Sequence, residues 1–219
     1  MNFDKKGFYK FCSALQIETK EQGLKKMGKL LGSQTYVMDE ITKGLAEDVH
    51  FFVILKGRQL GITTISLALD LYWHFTHPGL QGTLTTDTEE NRDMFRSTLA
   101  MYMDGLPKEY RIPLLAHNRN QLSLKNRSRL FYQVAGLRAK GSLGRGKAIT
   151  YLHGTETSSW GDEEGLASHF SQQFSDLFQT LLPSLTPGAE STGSVTTSQW
   201  QLSCNGGSCI ITVGSFSIF

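Results

Sequence analysis

No lysine or arginine occurs after Lys147 in this chain of 219 residues. All 22 basic residues stand before position 148 with 14 of the 20 acids, so that part carries +8. Six acids follow without any basic residue, Glu156, Asp162, Glu163, Glu164, Asp176 and Glu190, and the remainder carries −6. A basic front suits a nucleic-acid or nucleotide-phosphate partner, and equally an ordinary lysine-rich surface. Cysteine is scarce: Cys12, Cys204 and Cys209 make no disulfide framework, and a reducing cytosol is the expected setting. Cys204 and Cys209 have no histidine or further cysteine near them, which argues against a metal site. No apolar run is long enough to cross a membrane, and no such run follows Met1–Lys6, so neither a membrane partner nor a signal peptide is expected. The length suits one ordinary domain, with or without a tail.

What is present alternates between two periodicities. Residues 3–17 place Phe3, Phe8, Phe11, Cys12 and Leu15 near one helical face. Thr19-x-x-Gln22 reads as a capping box opening a second helix, with Leu24, Met27, Leu30 and Leu31 inward, Lys25, Lys26 and Lys29 outward, and Gly32-Ser33 at its end. Gln34–Leu45 reads as a further helix. Phe51–Leu55 is continuously apolar, as expected of a strand covered on both faces. Ile65, Ala68, Leu69, Tyr72 and Phe75 then recur at helical spacing. Thr83–Thr86 is a short strand, and Asp87-x-x-Glu90 caps a helix whose inward face is Met94, Phe95, Leu99 and Tyr102. Leu122–Leu124 and Arg129–Val134 alternate around Lys125–Ser128, a hairpin pattern. A glycine- and arginine-rich loop, Gly136–Lys147, leads to a strand over Ala148–Leu152 that ends in His153-Gly154-Thr155-Glu156. From Ser184 the text is Ser/Thr/Gly-rich; Glu190–Ser198 reads as linker and Cys209–Val213 as a possible strand. Strands alternating with helices predict an α/β fold: a mostly parallel sheet flanked by helices, with an inserted β-hairpin and an irregular C-terminal tail.

The chemistry concentrates between Phe51 and Thr64. A buried strand, a tight loop and a helix start are the layout of a phosphate-binding loop, whose usual form is G-x-x-x-x-G-K-[ST]. Gly61 and Thr63 keep the second glycine and the hydroxyl, Ile62 stands where the lysine belongs, and Lys56 stands where the first glycine belongs. Arg58 adds a second cation within the loop. A long, flexible lysine stem at either edge of the loop reaches the same phosphate oxygens. Read alone, the loop fits a phosphate site and a plain strand–turn–helix crossing equally. His153, at a strand end, is expected to be packed or hydrogen-bonded rather than a ligand.

Lys56-x-Arg58-Gln59-x-Gly61-x-Thr63-Thr64 together with Tyr151-Leu152-His153-Gly154-Thr155-Glu156 resembles the ATPase domain of the large terminase subunit, the DNA-packaging motor of tailed bacteriophages and herpesviruses. The resemblance covers roughly residues 30–168 and implies a P-loop NTPase-like fold binding ATP and Mg²⁺. It implies that Lys56 of a deviant Walker A loop contacts the β/γ-phosphates and that Arg58 senses or stabilises the γ-phosphate. Gly57, Gln59, Leu60, Gly61, Ile62 and Thr64 complete the nucleotide-binding loop, with the Thr63 hydroxyl on Mg²⁺. Glu156 matches the catalytic glutamate of Walker B, Thr155 replaces the aspartate before it, and Gln34 matches an adenine-contacting glutamine. The partners implied are double-stranded DNA, a small terminase subunit, a portal protein and a homo-oligomeric ring, in the cytoplasm of an infected or prophage-carrying bacterium.

Glu163–Ser168 still reads like the family; from about His169 it does not, and neither a coupling motif nor an acidic nuclease cluster is visible. Residues 1–168 are therefore expected to be an incomplete terminase-like ATPase domain. Residues 169–219 are expected to be an unassigned tail, with a truncated or frame-shifted gene as the hypothesis and no nuclease activity. Three functions remain open: a DNA-translocating ATPase, a helicase-like P-loop ATPase, and a catalytically incompetent terminase remnant.

Overall fold

A computed structural model describes residues 3–19, 21–56, 59–134, 149–156 and 208–213. Gly57, Arg58, the loop Gly136–Lys147, Ala148, the run Glu163–Ser168, the linker Glu190–Ser198 and Cys204 lie outside the described residues. Helix α1 (Lys5–Ala14) starts where Asp4 Oδ1 accepts the Gly7 N–H at 2.9 Å. It buries Phe8, Phe11 and Cys12. The rings of Phe8 and Phe11 meet Tyr72 at centroid distances of 5.3 Å, so this helix docks through aromatic edges.

The next segment corrects the sequence reading. Residues 16–26 form an antiparallel hairpin, β1 (Gln16–Thr19) and β2 (Gly23–Lys26), not a helix. Thr19 Oγ1 does accept the Gln22 N–H, at 3.3 Å, but the bond closes a turn. Gly23 and Gly28 take φ of +60° and +64°, a left-handed geometry that interrupts a right-handed helix. Leu24 is consequently 58% exposed, and Leu31 is exposed as well. Lys26, still exposed, is put to use: its ammonium donates to the carbonyls of Ala14 and Gly105, at the C-terminal ends of two helices where a cation is favoured. Gly32 and Ser33 open the following helix, α2 (Gly32–Ala46), rather than closing one.

The main sheet has seven strands in the order β3-β9-β8-β4-β7-β6-β5. These are β3 (Phe51–Leu55), β4 (Gln81–Thr86), β5 (Leu114–His117), β6 (Gln121–Leu124), β7 (Arg129–Val134), β8 (Tyr151–Gly154) and β9 (Ser208–Val213). The pairs β3–β9, β9–β8, β8–β4 and β4–β7 are parallel, and β6 and β5 extend the sheet antiparallel. The mostly parallel sheet and the β6–β7 hairpin match the sequence reading. β9, read there as a possible strand, is seated between β3 and β8. β8 begins and ends later than expected. β3 has β9 as its one described partner, and Val53 is 49% exposed, so the face that carries it is not covered.

Helices α3 (Ile62–Thr76) and α4 (Glu89–Gly105) make the crossovers out of β3 and β4. α3 is buried almost all round, its mostly apolar surface interrupted by Ser66, Asp70 and His74. α4 turns Arg92, Phe95, Leu99 and Tyr102 to the core. Met94, expected inward, is 51% exposed, because it lies about 100° around the helix from Phe95 and off that stripe. The cap of α4 is Thr88, which accepts the Asn91 N–H, and not Asp87; Asp87 Oδ1 instead accepts the Thr88 N–H at 2.9 Å. Parallel strands place Leu55, Thr86, Val134, Gly154 and Val213 at one edge of the sheet, where α/β folds bind ligands. No helix of the described residues is long and apolar enough to cross a membrane.

Candidate functional site

The loop after β3 is shaped by backbone geometry. Gln59 and Gly61 take φ of +63° and +69°, and Gly61 then caps α3. A side chain at Gly61 would be strained by that φ, and its Cβ would lie 2.7 Å from Gln34 Nε2. α2 grips the loop from outside. Ser33 Oγ donates to the Leu60 carbonyl at 2.8 Å, and Gln34 Nε2 donates to the Gly61 carbonyl at 2.8 Å. Gln34 Oε1 accepts the Leu31 N–H at 2.9 Å, so both ends of this buried amide are engaged by the chain itself. The structure thus places Gln34 as a brace of the loop.

Ile62 is 3% exposed and packs into the core. A lysine in its place would start from a buried position. Lys56 comes from the other edge: Lys56 Nζ donates to Glu156 Oε1 at 3.2 Å, with side-chain exposures of 9% and 25%. The two residues are 100 positions apart and sit at the C-terminal ends of β3 and β8. Glu156 has a φ of +55°, an uncommon conformation for a residue with a side chain and one found at sites where geometry is imposed. Thr155 is fixed beside it by its N–H, which donates to the Thr85 carbonyl at 2.9 Å.

Thr63 and Thr64, both partly buried, form the first turn of α3. The free N–H groups of such a turn and the helix dipole favour an anion. Tyr102, buried on α4, donates its hydroxyl to the Thr64 carbonyl at 3.1 Å and anchors this turn; burial pushes its phenol pKa up. Lys56, Gln59, Leu60, Gly61, Ile62, Thr63, Thr64 and Gln34 are therefore contiguous around the loop, with Glu156 facing Lys56. Gly57 and Arg58 fall outside the described residues.

Sequence reasoning missed Ser33, Tyr102 and Asp70. Asp70 is fully buried in α3; Tyr151 OH donates to its Oδ1 at 2.6 Å, and His153 Nδ1 lies 2.7 Å from its Oδ2. A lone aspartate inside Ile65–Trp73 was the available signal. His153 is hydrogen-bonded in the core, as expected. Among the described residues, no group of three or more His, Cys, Asp or Glu is placed to hold a metal ion.

No protein-family model matches the chain, and no curated protein matches it. Solved structures do. The HK97 bacteriophage large terminase superposes with a TM-score of 0.60 at 11% identity, over 96% of this chain and 37% of that one. The Thermus phage P74-26 large terminase ATPase domain superposes with a TM-score of 0.52 at 12% identity, over 88% of this chain and 67% of that one. This chain thus spans little more than a third of the HK97 protein's length. The fold is that of the ATPase domain of phage large terminases.

Proposed function

We propose that the chain is the ATP-binding and hydrolysing motor domain of a viral DNA-packaging terminase large subunit. The observation that carries the reading is the 3.2 Å approach of Lys56 to Glu156, beside a helix N-terminus and between the ends of two strands of a terminase-like sheet. A nucleotide phosphate entering the loop competes with Glu156 for the Lys56 ammonium. The exchange neutralises phosphate charge and frees the Glu156 carboxylate to polarise an attacking water, the positioning and charge compensation on which phosphoryl transfer depends. The Thr63 hydroxyl and the Glu156 carboxylate are hard oxygen donors of the kind that suit Mg²⁺ held mainly by substrate phosphates and water. Held there by Thr63 and Glu156, Mg²⁺ would offset the charge of the phosphates. Arg58 is assigned to the γ-phosphate and Gln34 to holding the loop. Double-stranded DNA, a small terminase subunit, a portal protein and neighbouring copies in a ring are the proposed partners, in the bacterial host cytoplasm.

Thr155 favours a second reading, nucleotide binding without turnover, because it leaves the strand end one carboxylate short. Steady-state ATPase assays of the wild type, Lys56→Ala and Glu156→Gln, with parallel nucleotide titrations, separate the two. Hydrolysis lost in both variants, with binding kept in Glu156→Gln, supports the motor reading. Binding without hydrolysis in the wild type supports the second. Hydrolysis that survives both substitutions sinks the site.

A further inference from the structure

Thr63, Ser66, Asp70 and His74 recur at helical spacing along α3, a polar stripe on a helix that is otherwise apolar. Ser66, Asp70 and His74 are all buried, so the stripe is not a solvated face. Its centre is Asp70, two turns after Thr63, and its partners come from β8. Tyr151 OH donates to Asp70 Oδ1 at 2.6 Å, and His153 Nδ1 reaches Asp70 Oδ2 at 2.7 Å. With Asp70 as a carboxylate, which only accepts, this contact is made by the tautomer with its N–H on Nδ1. Tyr151 and His153 are alternate residues of β8 and share one face of the strand. The ring of His74, one turn beyond Asp70, meets the Tyr151 ring edge-on at 5.4 Å.

This polar bridge joins the two elements that carry the proposed chemistry. α3 begins at the phosphate loop, and β8 runs from Tyr151 and His153 into Glu156, three residues past the histidine. Burying a carboxylate is costly, and a core contact of this kind is met more cheaply by apolar side chains. Directional bonds fix a register that apolar packing leaves free to slide. We propose that Asp70 is a positioning residue: through Tyr151 and His153 it sets the height of β8 against α3, and so the approach of Glu156 to Lys56 and to the first turn of α3. The inference rests on the hydrolysis site proposed above and adds to it a residue that touches neither nucleotide nor water.

Two measurements on the full chain test it. In the first, ATPase kinetics compare the wild type with Asp70→Asn, His153→Phe and His153→Asn. Asparagine at 70 keeps the shape but faces one of the two donors with an amide N–H₂; asparagine at 153 keeps an N–H in the Nδ1 place, and phenylalanine does not. Misplacing a reacting group by a fraction of an ångström is expected to lower kcat about tenfold or more in Asp70→Asn and His153→Phe. KM for ATP stays close to wild type, and His153→Asn recovers most of the rate. A merely structural role would lower the melting temperature and scale kcat with the folded fraction, and His153→Asn would then fall as far as His153→Phe. In the second, Lys56→Cys and Glu156→Cys are combined, and bridging of the two thiols by a short bis-maleimide, which spans one intervening strand where a disulfide does not, is followed by mass spectrometry with Asp70 or Asn at position 70. Cross-linking about tenfold slower with Asn supports the positioning role whether or not the chain hydrolyses ATP. Equal cross-linking rates, or wild-type kcat in Asp70→Asn, overturn it. A wild type without hydrolysis refutes the proposed function and leaves the cross-linking comparison to decide on Asp70.

Discussion

At position 62 a single side chain separates two accounts of the loop. An isoleucine in the lysine place reads as a lost site until its burial shows that the place belongs to the core. Ile62→Lys in a Lys56→Ala background should therefore fail to restore nucleotide turnover and should lower stability, since an unpaired ammonium would be forced into the apolar interior. ATPase rates and melting curves of the double variant check both parts; recovered turnover would refute the placement of Lys56. His74 makes a second residue-scale prediction. Burial holds its pKa below the ordinary 6.5, so the unfolded chain takes the proton first as pH falls. Stability is then full above pH 6.5 and drains away below it, by at most about 1.4 kcal/mol per pH unit from this group. His117 is shifted the same way, by burial and by Arg96. Melting temperature should fall from pH 7.5 to 5.5, and His74→Phe should shrink that slope without abolishing it. Lys56, Thr63 and Glu156 were legible as residue types at a recognisable spacing. Asp70 was not, because nothing in a sequence says which hydroxyl and which imidazole will meet a lone carboxylate 81 and 83 positions earlier.

Elements were legible where period and length agreed. α1, α2, α3 and β3 fall where the apolar spacing puts them, and the alternation over 121–134 yields β6 and β7. Residues 19–31 failed because a capping-box pattern and a helical apolar repeat outweighed two glycines, whereas Gly23 and Gly28 both adopt positive φ and turn the chain. The Thr19–Gln22 contact exists in either conformation, so it could not discriminate. α4 shows the same limit on a smaller scale: Asp87 and Thr88 are both good caps, and the loop geometry selected Thr88. Thr88→Ala should therefore cost about 1 kcal/mol of stability in denaturant melts. Asp87→Ala removes the acceptor of the Thr88 and Asn91 donors instead and should cost no less.

For the molecule as a whole, strand order is what chain order hides. β3 and β8, which carry Lys56 and Glu156, are not neighbours; β9 lies between them and pairs with both. One intervening strand spaces them by roughly 10 Å, twice the strand separation, a gap that a lysine and a glutamate side chain together can close. The strand that sets this spacing comes from the part of the chain with no basic residue, the part whose composition resembled nothing ahead of it. Ile211 stands at the middle of that arrangement, opposite Val53 on one side and Gly154 on the other. Ile211→Pro deletes a ladder N–H inside the sheet, where proline is not accommodated. An unmade buried hydrogen bond costs about 1–3 kcal/mol, a fall in Tm of roughly 2–12 °C for a chain of this size. The loss of ATP turnover should exceed that destabilisation when measured well below the transition, because the spacing of Lys56 and Glu156 changes with it. Leu115→Pro is the matched control: residue 115 lies at an irregularity of β5, on the outer edge of the sheet, where a proline removes little. Equal losses of turnover in the two variants would show that β9 contributes stability alone and does not set the site.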